Sequence, residues 1–191
     1  MIYDETKVEK LFQKSLRDAK ELLKGLRVHS GREPNFSGLS GWVYEQTILH
    51  CIRKELKEMG LAAEPVREQD LLGGRTRVDL LVGNTAIEIK TSGLFGLHEI
   101  DRYKVCKSLA AAKAYRYVFL SRGETTYRTG ILQALGKDNV ILLEEGGGAW
   151  KRLIKIIASG LNSGEGLTHS ARRANAARGV NTDVKSKPRT Y

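Results

Sequence analysis

Cysteine is scarce in this 191-residue chain: Cys51 and Cys106 are the only two, each inside a segment with helical periodicity. Lacking a CxxC pair or a histidine cluster, they cannot build a zinc site and read as small buried hydrophobes. Long apolar runs are missing too. None approaches the roughly 18–20 residues that span a bilayer, and the charged opening, MIYDETKVEK, lacks the apolar core of a signal peptide. The expectation is a cytoplasmic protein with no membrane partner. Acidic charge is in deficit, with 22 Asp and Glu against 32 Lys and Arg, a net charge of +10. Such a basic balance suits a polyanion, nucleic acid before anionic lipid. Internal repeats and an aromatic RNA-recognition motif are both absent. Gly146–Gly148 does not form a phosphate-loop pattern, and His98 has no metal-ligating neighbour in the sequence.

What is present is the composition of one globular domain, 41% hydrophobic and 28% charged, long enough to bury a sizeable core. Residues 4–27 repeat Val8, Phe12, Leu16, Ala19 and Leu23 at helical spacing. A Gly-, Ser- and Pro-bearing loop over 29–40 follows, then a helix over 41–59 with Trp42, Glu45, Leu49, Ile52 and Leu56 along one side and Gly60 as its stop. The period then changes. Strands are expected at 62–68, 75–82 and 85–91, with turns at Gly73-Gly74 and Gly83-Asn84. A helix over 98–114, a buried strand at 115–121, a short helix at 126–136, a strand at 140–143 and a helix at 150–159 complete the pattern. The order α, α, β, β, β, α, β, α, β, α indicates an α/β fold, a central mixed sheet flanked by helices with an extra N-terminal helix. Residues 1–159 form one domain in this reading. Residues 160–191, with six Lys and Arg against Glu165 and Asp183, read as a flexible basic tail.

The chemistry concentrates in RVDLLVGNTAIEIKT, residues 77–91. In a hairpin turning at Gly83-Asn84, Glu88 and Lys90 share one face and Ile87 and Ile89 the other. Asp79 lies three residues before Val82 and Glu88 three after Thr85, so the two carboxylates meet across the hairpin. Two acids amid Val78, Leu80, Leu81, Ile87 and Ile89 repel and are costly to charge unless a cation lies between them. Oxygen ligands in small number suit Mg²⁺. Lys90 can then orient or help deprotonate an attacking water, or offset charge on a phosphorane-like transition state. The same residues could also form a salt-bridge ladder on an edge strand. The apolar opposite face of 85–91 and its apolar partner argue for a central strand instead.

On these residues the chain resembles the PD-(D/E)XK, or restriction-endonuclease-like, nuclease superfamily. Asp79 matches the motif aspartate and Glu88-Ile89-Lys90 the (D/E)xK element, and the α-β-β-β-α-β family core corresponds to residues 41–121 in order, within a likeness covering 41–145. Val78 stands where the name-giving proline would be, which lowers the motif's specificity while leaving Asp79 as the ligand. The family often carries an acid on the helix before the first strand, and Glu45 in GWVYEQTIL occupies that position beside Trp42, Ile48, Leu49 and Ile52. The resemblance implies a metal-dependent DNA endonuclease with Asp79, Glu88, Lys90 and Glu45 as catalytic residues. It further implies Mg²⁺, or Mn²⁺ in its place, held by Asp79, Glu88, the Ile89 backbone carbonyl and Glu45. Two alternatives stay open: a Holliday-junction resolvase or other structure-specific nuclease, and a DNA-binding protein of the same fold without catalysis.

Several residues carry double readings. Arg75 and Arg77 either contact DNA phosphates near the cut or are solvent-facing strand charges. Ser92 either holds a substrate phosphate or caps a turn. Tyr103 and Lys107, four apart on one helix face, either touch substrate or belong to the core edge and solvent. Because cutting a duplex on both strands generally takes two active sites, a homodimer is the expected assembly.

Overall fold

A computed structural model describes residues 1–30, 38–70, 77–91, 97–123 and 128–176. Helix α1 spans Glu5–Ser30 and α2 Leu39–Glu58; strands β1, β2 and β3 span Val66–Asp70, Arg77–Val82 and Thr85–Lys90. Helix α3 (Leu97–Ala112), β4 (Arg116–Ser121), α4 (Arg128–Leu135), β5 (Val140–Leu142) and α5 (Ala149–Ala176) follow. The element order is the one expected from the sequence, and the strands form one five-stranded mixed sheet in chain order, β1-β2-β3-β4-β5.

Connection length sets strand direction. The two-residue turn at Gly83-Asn84, with Gly83 at φ +57°, closes β2 and β3 into an antiparallel hairpin. Helices α3 and α4 carry the chain back to the starting edge, so β3, β4 and β5 run parallel. Strand β3 thus has β2 on one side and β4 on the other, and every residue from Thr85 to Ile89 is buried. Strand β1 starts at Val66, later than the expected 62, because Pro65 has no N–H to give to the ladder.

Each face of the sheet is covered. On one, Phe12 of α1, Tyr44, Ile48 and Ile52 of α2, and Trp150 and Leu153 of α5 pack on Leu80, Ile87, Ile89 and Leu120. On the other, Tyr103, Cys106 and Ala110 of α3 and Ile131 and Leu135 of α4 pack on Ala86, Tyr117, Phe119 and Leu142. No described helix is long and apolar enough to cross a membrane.

Two expectations change. Trp42 does not face the sheet: it is 54% exposed, and the buried side of α2 runs through Val43, Tyr44, Thr47, Ile48, Cys51, Ile52, Glu55 and Leu56. Glu55 belongs to that side because it has distant partners; its Oε1 accepts hydrogen bonds from the Ile2 and Tyr3 N–H groups at 3.0 and 2.7 Å. The final helix also continues beyond residue 159, as far as Ala176. Gly160 falls where α5 crosses the hairpin turn, and a Cβ there would collide with the Asn84 side chain and Thr85 Oγ1. The glycine that reads as the start of a tail is therefore a close helix-to-turn contact, and Leu161 beside it packs on the core. The remainder of the expected tail, residues 177–191, the expected turn at Gly73-Gly74 and most of the expected loop over 29–40 lie outside the described residues.

Candidate metal and phosphoryl-transfer site

The site begins with a break in a strand. The β2–β3 ladder pairs Val82 with Thr85, Leu81 with Ala86 and Leu80 with Ile87. The next pair in that register would be Asp79 and Glu88. There the ladder gives way, and the Ile89 N–H donates to Asp79 Oδ2 at 2.6 Å. A side-chain oxygen thus takes the place of a backbone carbonyl. Alternation breaks at the same point: Val78 and Leu80 are two residues apart yet bury into opposite faces of the sheet. Plain alternation was enough to expect Asp79 and Glu88 near each other, but not this kink.

Glu88 is 2% exposed and belongs to the face that α3 covers, while Ile87 and Ile89 enter the other core. A carboxylate so buried needs partners. Its Oε1 accepts from Lys90 Nζ at 2.8 Å and from Arg102 Nη2 at 2.7 Å. Burial, then the charge of Glu88, raises the Asp79 carboxyl to about 7, and Glu45 adds to the rise; the Ile89 N–H and Lys90 oppose it. Asp79 is therefore a half-buried acid whose charged form is short of cationic partners.

Helix α2 brings Glu45 to the margin of this pair. Its charge reaches Asp79, and its Oε2 lies 3.7 Å from Arg67 Nη2 on β1. Arg77 is exposed at the start of β2. Arg75 and Ser92 fall outside the described residues. Tyr103 is 1% exposed; its O–H donates to Glu99 Oε2 at 3.0 Å and its ring lies 5.1 Å from that of Phe119. Lys107 Nζ donates to the Leu135 carbonyl at the end of α4, at 2.9 Å. The polar ends of these last two are thus engaged within the α3–α4 layer.

Two residues join the site without having been foreseen, Arg102 and Arg67. Arg102 lies one position from Tyr103, at the margin of the buried stripe of α3 formed by Ile100, Tyr103, Cys106 and Ala110. A position beside such a stripe points about 100° away from it, so the stripe alone does not reveal that this long side chain reaches back to Glu88. Arg67 pairs with Leu80 in the β1–β2 register, one residue from Asp79, and nothing local in the sequence marks it.

Among the described residues, no group of three or more His, Cys, Asp and Glu is assembled to hold a metal ion. The direct donors on offer are the Asp79 and Glu88 carboxylates, with Glu45 behind them. Such a pair fits Mg²⁺, which takes one or two carboxylates and completes its octahedron with water and substrate phosphate. It suits zinc poorly, since among the described residues no imidazole joins the pair and the nearby Cys106 thiol is buried, which holds it protonated. No protein-family model, curated protein or solved structure matches this chain.

Proposed function

We propose that the protein is a Mg²⁺-dependent deoxyribonuclease of restriction-endonuclease-like fold, hydrolysing phosphodiester bonds at Asp79, Glu88 and Lys90. The observation that carries the reading is the set of groups gathered where the β2–β3 hairpin splays. A carboxylate on β2 with an unfavourable charge stands beside the end of the central strand β3, which carries a second, buried carboxylate and a lysine bound to it.

In this reading Asp79 and Glu88 hold the cation, with the Ile89 carbonyl and Glu45 as supporting ligands; Mn²⁺ would serve in place of Mg²⁺. When bound, the ion polarises a phosphoryl oxygen and makes a bound water more acidic. Lys90 Nζ, held by Glu88 two residues away on the strand, orients the attacking water or offsets charge developing on the phosphate. The Asp79 side chain keeps its geometry through the Ile89 N–H, so the carboxylate is aimed before substrate arrives. Arg77, exposed at the start of β2, would supply a phosphate contact, in keeping with the net charge of +10. A homodimer would supply the second centre that a double-strand cut requires.

The test is incubation with plasmid, linear, single-stranded and four-way-junction DNA in Mg²⁺, Mn²⁺ or EDTA. Cutting that needs the divalent ion is expected, and preference for the junction would identify a structure-specific enzyme. Asp79→Ala and Lys90→Ala should lower the rate by at least about 100-fold while leaving DNA affinity near that of the parent. Binding without cutting of any substrate would point instead to a DNA-binding protein of this fold.

A further inference from the structure

We infer that Arg102 is a phosphate-binding residue held in reserve: it stays on Glu88 until a divalent cation takes that carboxylate, and then turns to the DNA backbone. The inference rests on the reading of Glu88 as a cation ligand.

Glu88 Oε1 is shared between two cations, Lys90 at 2.8 Å and Arg102 at 2.7 Å. They are not equivalent. Lys90 belongs to the same strand, two residues on, and is tied to the site by the backbone. Arg102 reaches over from α3, and its side chain is 49% exposed against 3% for Glu88. It touches the carboxylate with one edge and solvent with the other. Its guanidinium lies over the Tyr103 ring, 4.9 Å from the centroid, and Nε stands 3.6 Å from Glu99 Oε2. The Tyr103 ring and hydroxyl, with Glu99, hold the guanidinium from the side away from Glu88. An arginine released from Glu88 would thus remain poised above the site.

Charge counting gives the exchange its direction. Lys90 and Arg102 carry two positive charges beside the Asp79 and Glu88 carboxylates, with Glu99 at the outer edge of Arg102. A divalent ion entering this group adds two more and is repelled by both cations on Glu88 Oε1, of which Arg102 is the more exposed and the one not tied to the strand. Departure of Arg102 relieves that repulsion. The freed fork matches two oxygens of a phosphodiester, a geometry a lysine cannot reproduce. The substrate's negative charge then balances the ion. Cation and Arg102 compete for one oxygen, while cation and DNA help one another through Arg102, and that help must be reciprocal.

Two measurements without turnover test this. Mn²⁺ binding in the absence of DNA, followed by the electron paramagnetic resonance of the free ion, is compared between the parent and Arg102→Ala. The variant should bind Mn²⁺ at least about fivefold more tightly. Affinity for a short labelled duplex, from fluorescence anisotropy in EDTA and in Ca²⁺, gives the second measure. The gain on adding Ca²⁺ should shrink at least about fivefold in Arg102→Ala and stay reduced in Arg102→Lys. Arg102→Gln preserves the stem over Tyr103 and replaces Arg102→Ala if circular dichroism shows that variant unfolded. Unchanged or weaker Mn²⁺ binding in the variants, with clear binding by the parent, overturns the exchange and leaves the nuclease reading standing. Absence of Mn²⁺ binding in parent and variants alike overturns both.

Discussion

Asp79 is the residue at which folding and the proposed chemistry pull in opposite directions. Its carboxyl ordinarily titrates at 3.8 and is raised to about 7 in the folded protein, by burial first and by Glu88 second. A raised acid means the folded state holds the proton more tightly than the unfolded one, so stability falls as pH climbs from about 4 to about 7. In EDTA, Asp79→Asn should remove that fall. Differential scanning calorimetry at pH 8 should give a Tm a few degrees above the parent, with the difference vanishing near pH 4; a lower Tm at pH 8 would contradict the assignment. Asp79, Glu88 and Lys90 were legible in the sequence because a two-residue turn and period-two alternation fix which strand residues meet. Arg102 and Arg67 were not, since the rotation of a helix over a sheet and the pairing of an added strand depend on contacts far along the chain. Glu55 is the sharpest instance. It looks like an ordinary helix acid until the amides of Ile2 and Tyr3 are found on its carboxylate.

At the level of elements, the helices differ in what their glycines do. Gly25 in α1 has open space where a Cβ would stand, while the same atom at Gly160 in α5 would strike the hairpin turn. The same substitution should therefore have opposite signs. Gly25→Ala should stabilise by about 0.5–1 kcal/mol through helix propensity, and Gly160→Ala should destabilise by about 1–3 kcal/mol through overpacking, both read from urea unfolding midpoints. Gly160 also explains why the end of the fold was misplaced in the sequence. Glycine among Ser and Asn has the composition of a loop, and only the neighbouring turn reveals that it is a contact. The misplacement of Trp42 has a related cause. A stripe through Trp42, Glu45, Leu49 and Ile52 is a valid helical face, but the neighbouring face through Tyr44, Ile48 and Cys51 meets more of the core. Hydrophobic spacing fixes the period of a helix more firmly than its rotation.

Across the whole molecule, the two cysteines report on packing. Burial pushes the Cys51 thiol up to about 12 and raises Cys106 as well, and both are closed off from solvent. Thiolate is the reactive form, so neither should react with a disulfide reagent at pH 8 in the native protein. Both should react once guanidinium unfolds it, and rapid native labelling would show that one of the two cores opens. The sheet itself has a consequence for how the protein is made. Each strand pairs with the one translated just before it, from β1 through β5, so a chain leaving the ribosome can add strands at a growing edge without waiting for a distant partner. The strand bearing Glu88 and Lys90 is that edge until β4 emerges. Arg102 lies between β3 and β4 in the chain, so the counterion of Glu88 is made before the strand that closes the sheet beside it.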